Sequence, residues 1–92
     1  MKREEVYKLI DGEREYQDRR WCAGDVIRME GNEPNPLTVG EFVLLMEGIL
    51  AEAKSTWIQE GKPNINTTVF VRKIAGVAVN CMEQHGAPTR EQ

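Results

Sequence analysis

Residues 66 to 85 constrain the fold of this chain more than any other stretch. Phe70, Val71, Ile74, Val77, Ala78, Cys81 and Met82 recur at three- and four-residue steps and so share one face of a helix. Ala75 and Val79 widen that face almost to the whole circumference. A helix that is apolar on most sides is buried on most sides. Gly86 stops it and Pro88 follows. Ala75, Gly76 and Ala78 are small, so another helix can approach closely.

The chain has 92 residues and can offer that segment about two further helices. A domain of this size buries only about 60–65% of its unfolded surface. Covering residues 66–85 on all sides therefore requires more helix than one copy supplies. The expectation is a homodimer or higher oligomer built as a helix bundle.

The helix that precedes it has the clearest start signal. In Thr38-Val39-Gly40-Glu41, the Thr38 hydroxyl can bond the Glu41 amide, and the Glu41 carboxylate can reach back to the Thr38 amide. Leu37 and Phe42 flank this capping box at hydrophobic-staple positions. Val39, Phe42, Val43, Met46, Ile49, Leu50, Ala53 and Trp57 continue as an apolar stripe, which Gly61 and Pro63 end.

A first helix is predicted over about residues 3–21. Val6, Leu9, Ile10, Glu13, Tyr16, Gln17 and Trp21 fall on one face. The turn signal Asp11-Gly12 predicts a kink there, or a fresh start with Asp11 as cap. Residues 22–37, with Gly24, Gly31, Asn32, Pro34, Asn35 and Pro36, read as a long loop in which Val26-Ile27-Arg28-Met29 can form a short extended piece. The fold expectation is all-α: one domain over residues 1–92, with helices at about 3–21, 39–60 and 66–85, completed by oligomerisation.

Composition removes several functions. The net charge is −3 and the pI about 5.2, which argues against bulk DNA binding. No run of about 18 apolar residues spans a membrane. The charged opening Met1-Lys2-Arg3-Glu4-Glu5 lacks a secretory signal, so the expected compartment is the cytoplasm. Cys22 and Cys81 have no metal-site spacing and read as reduced thiols. His85, the single histidine, sits in the last turn of its helix, where the dipole favours a cation.

Polar residues on an otherwise apolar stripe need partners. Glu13 and Gln17 are therefore candidate pocket residues, with Tyr16 and Trp21 as stacking platforms. Lys73 lies between Phe70 and Val77, either covering apolar surface or aimed into a cleft. Its neighbour Arg72 is expected to project elsewhere.

Glu13-Arg14-Glu15-Tyr16-Gln17-Asp18-Arg19-Arg20-Trp21 resembles the opening helix of small phage-type proteins related to the MazG-like all-α nucleotide pyrophosphohydrolases. Val39-Gly40-Glu41-Phe42, leading into Glu47 and Glu52, is similar to their second helix. Arg72 to Val79, with Met82-Glu83-Gln84-His85-Gly86, resembles their third. The resemblance implies dimers or tetramers and Mg²⁺ held by two acidic pairs, one on each helix of a hairpin. In an ungapped reading those positions are Ile49 and Glu52, then Phe70 and Lys73, so Glu52 alone remains as a metal ligand. A lysine in place of an acid implies direct binding of a nucleotide's phosphate without activation of water.

The leading expectation is a non-hydrolytic nucleotide-binding protein, with Glu13, Tyr16, Gln17, Trp21 and Lys73 at the ligand and no cofactor. In a phage it would sequester a nucleotide signal of host defence in the host cytoplasm. Two other classes stand beside it. One is a Mg²⁺-dependent nucleoside triphosphate pyrophosphohydrolase using Glu52. The other is a structural or host-protein interaction module acting through residues 22–37.

Overall fold

The computed structural model describes residues 1–21, 28–30, 33–35, 37–60 and 65–90; of Trp21, Glu60, Ile65 and the strand residues, it describes the backbone alone. Three helices dominate: α1 (Arg3–Trp21), α2 (Val39–Glu60) and α3 (Ile65–His85). The fold is an all-α bundle of three helices. Among the described residues, no helix is long and apolar enough to cross a membrane.

The capping box forms as its residues dictate. The Thr38 amide donates to Glu41 Oε1 at 2.8 Å, and the Glu41 amide donates to Thr38 Oγ1 at 3.2 Å. This satisfies two amides that the first turn of α2 would otherwise leave open. At the C-terminus of α3, Gly86 takes a left-handed φ of 79° and its amide donates to Met82 O at 2.8 Å. Glycine takes that conformation without a Cβ clash, which is why the helix stops there.

The start of α2 meets the end of α3, so the two are antiparallel. His85 Nε2 lies 2.8 Å from the carbonyl oxygen of Leu37, and its ring meets Phe42 edge-on with centroids 6.0 Å apart. A carbonyl only accepts, so the His85 proton in this contact sits on Nε2. His85 is thus a clasp across the mouth of the hairpin.

The helix α3 is the middle element. Both α1 and α2 pack on it, and α1 and α2 share no contact of their own among the described residues. The apolar core is small: Phe42, Ala53 and Val77 are its buried members among the described residues.

Three expectations change. The Asp11-Gly12 turn signal does not act: α1 runs unbroken through it. Glycine in a helix costs about 1 kcal/mol, and the long-range contacts of Glu13, Arg14 and Gln17 described below hold the helix through it. Within the predicted loop, β1 (Arg28–Glu30) pairs antiparallel with β2 (Glu33–Asn35), Met29 opposite Pro34. Arg28 and Met29 of the expected extended piece are in β1, while Val26 and Ile27 lie outside the described residues, as do Cys22, Gly61 and Pro63. The α2 stripe also splits. Phe42 and Ala53 are buried against α3, whereas Val39, Val43, Leu50 and Trp57 are exposed.

Candidate functional site

The α1–α3 contact is polar where the α2–α3 contact is apolar. Glu13, Arg14 and Gln17 of α1 are all buried, at 6%, 6% and 3% exposure. They can approach α3 because Gly76 faces them. A Cβ on Gly76 would stand 2.8 Å from Gln17 Nε2 and from Glu13 Cγ. The absent side chain is what lets the two helices come together here.

Glu13, Arg14 and Gln17 each make hydrogen bonds in that contact, while Gln17 Oε1 and Arg14 Nη1 are buried without a partner among the described residues. Gln17 Nε2 donates to Glu13 Oε2 at 3.0 Å and to the backbone carbonyl of Lys73 at 3.2 Å. Arg72 Nε donates to Glu13 Oε1 at 2.9 Å. Both Glu13 oxygens are therefore engaged. Next to this network, Arg14 holds Glu83 with two parallel bonds of 2.8 and 3.1 Å, and its Nη2 reaches Asp18 at 2.8 Å. The hydrogen bond from Arg14 holds the Glu83 carboxyl below its ordinary range, and Glu83 in turn raises the Arg14 guanidinium. The two interhelix pairs have opposite polarity: acid to base for Glu13–Arg72, base to acid for Arg14–Glu83. Sliding α1 along α3 would break both.

This fixed contact leaves an open cleft of about 410 Å³ beside it, lined by Lys8, Leu9, Gly12, Glu13, Tyr16, Arg72 and Lys73. Lys8, Gly12 and Tyr16 fall at four-residue steps along α1, so one face of the helix forms one wall. At Gly12 an added Cβ would meet nothing within 4 Å, so the middle of that wall is open. From α3, Arg72 and Lys73 complete the site. Among the described residues Lys8 and Lys73 form no ion pair; Lys73 Nζ stands 5.3 Å from the Phe70 ring centroid.

The residues singled out by sequence are thus distributed as follows. Glu13, Tyr16 and Lys73 border the cleft. Gln17 does not; it is consumed in packing against Gly76 and Lys73 O. The Trp21 side chain lies outside the described residues. Arg72 does not project elsewhere: neighbours on a helix diverge by about 100°, and here that divergence lets Arg72 and Lys73 flank the same cleft. Lys8 and Gly12 carried no sequence signal of their own beyond their four-residue step to Tyr16.

The residues present do not fit a Mg²⁺ site. Glu52 is exposed on α2, which has no contact with α1, and its backbone carbonyl is capped by Thr56 Oγ1 at 3.0 Å. No group of three acidic, histidine or cysteine side chains converges among the described residues. Glu13, the one carboxylate lining the cleft, is already held on both oxygens.

No protein family, curated protein or solved structure matches this chain.

Proposed function

We propose that this chain binds a nucleotide in the α1–α3 cleft and does not hydrolyse it. The observation that carries this reading is the convergence of three cations, Lys8, Arg72 and Lys73, with the half-exposed ring of Tyr16 around one neutralised carboxylate. Lysine and arginine supply charge-assisted donors to phosphate oxygens. Arg72 is oriented by Glu13, so its guanidinium is pre-positioned rather than recruited. An aromatic ring one helical turn away gives a base a face on which to stack.

The same donor set argues against hydrolysis assisted by a metal. Such catalysis needs several oxygen ligands gathered at one point, and the cleft gathers cations instead. A protein that binds a nucleotide without converting it lowers the free concentration of that nucleotide. In a phage-encoded protein this would withdraw a signal from host defence.

A panel of nucleotides screened by thermal shift, in chelator and without added metal, tests the reading. Saturation at a hundredfold excess over Kd would add about 2.7 kcal/mol of stability. Lys8→Ala and Lys73→Ala should each reduce the shift. Equal shifts in wild type and both variants would remove the cleft from the binding site.

A further inference from the structure

We propose that the nucleotide held in the α1–α3 cleft carries an apolar chain on its phosphates, and that this chain lies in a second groove between the same two helices. The phosphate end of this proposal rests on the nucleotide reading of the cleft. The groove has a volume of about 320 Å³ and is lined by Val6, Leu9 and Ile10 of α1 and by Val71, Arg72 and Ala75 of α3. Apart from Thr68 and Arg72, every side chain that lines it is apolar. Val6, Leu9 and Val71 are 38%, 47% and 56% exposed, so apolar surface stands uncovered there. Removing such surface from water favours binding of an apolar group.

The groove adjoins the cationic cleft, and the two share Leu9 and Arg72 as walls. On α3 the transition takes three consecutive residues. Lys73 lines the cleft alone, Arg72 lines both, and Val71 lines the groove alone. Each step turns the helix face by about 100°. On α1 the wall is aromatic at Tyr16, cationic at Lys8 with Leu9 beside it, and aliphatic at Val6. Base, phosphate and apolar chain follow one another in the same order in a nucleoside diphosphate esterified at its far phosphate. Arg72 stands at the junction. Its side chain is 43% exposed and gives Nε to Glu13 at 2.9 Å. A guanidinium has five N–H donors, so donors remain for a phosphate.

Dimensions select a chain over a docked helix. From Val6 to Ile10 the α1 wall of the groove spans about 6 Å along the helix axis. An amphipathic helix that anchors through residues i to i+7 needs about 10 Å and is about 10–12 Å across. The groove volume lies instead at the lower end of the range for small-molecule sites, about 300–1,000 Å³. A plain hydrocarbon would fill the groove and leave the remaining Arg72 donors unused. A chain linked to phosphate uses both.

Calorimetric titration of the full chain, in chelator, tests this with ADP, the butyl and octyl esters of its β-phosphate, and octyl phosphate. A fully buried CH₂ strengthens binding about fourfold. In a groove open on one side, the octyl ester should bind at least about tenfold tighter than ADP, with the butyl ester between them. Octyl phosphate, which lacks the nucleoside, should bind at least about tenfold more weakly than the octyl ester. Val71→Asn places a neutral polar group in the groove and leaves the charge of the cleft unchanged. It should abolish the gain from the chain and leave the affinity for ADP as it is. Should Val71→Asn fail to fold, Val6→Asn on the facing wall makes the same test. Equal or absent binding of ADP and its octyl ester overturns the proposal and leaves the nucleotide reading to its own panel. Equal binding of the octyl ester and octyl phosphate overturns both. A gain from the chain that survives the Asn variants overturns the assigned groove.

Discussion

Gly76 and Gln17 meet so closely across the α1–α3 crossing that one methyl group on Gly76 would stand 2.8 Å from Gln17 Nε2. Glu13 Cγ is equally near the same point. Gly76→Ala must therefore push α1 outward or break the Gln17 and Glu13 bonds, at a cost of about 1–3 kcal/mol. Gly12→Ala adds the same methyl where nothing lies within 4 Å. It should stabilise the helix by about 0.5–1 kcal/mol. Urea midpoints of the two variants should move in opposite directions.

The Arg14–Glu83 pair predicts an acid sensitivity. Glu83 is held below its ordinary pKa by Arg14, so its contribution is complete above roughly pH 4.3, the ordinary glutamate value. It is lost as pH falls further, through the depressed folded value. Glu83→Gln should cost about 1–2 kcal/mol at neutral pH, since Glu83 is half exposed while Arg14 is buried. It should also flatten the wild-type decline of stability as the pH falls below roughly 4.3. Denaturant midpoints at neutral pH and below that value measure both effects.

Thr38→Ala removes one side of the capping box and should cost about 1 kcal/mol. The loss should fall on the first turn of α2, where it also loosens the Leu37–His85 clasp. Faster amide exchange at Val39 to Glu41, with the remainder of α2 little changed, would register it.

These contacts also show why some of the molecule was legible in its sequence. The box at Thr38 and Glu41 and the stop at Gly86 are decided within four residues, and both form as read. Asp11-Gly12 is equally local and misleads, because α1 is held through Glu13, Arg14 and Gln17. Their partners Arg72, Glu83 and the Lys73 carbonyl lie 59, 69 and 56 residues away. Periodicity placed Glu13 and Gln17 on a buried face but could not say what they would meet there. It also placed Val43, Leu50 and Trp57 on one apolar stripe with Phe42 and Ala53, and of these five only Phe42 and Ala53 are buried. Arg72 was misplaced because adjacent helical residues diverge, while a cleft can be flanked from two sides.

Calorimetric titration of nucleoside triphosphates and cyclic nucleotides, in chelator, tests the central claim most directly. At least one should bind wild type with a stoichiometry of one per cleft, weaken at least tenfold in Lys73→Ala, and be recovered unconverted. Absence of binding across the panel, or release of pyrophosphate on adding Mg²⁺, would contradict it.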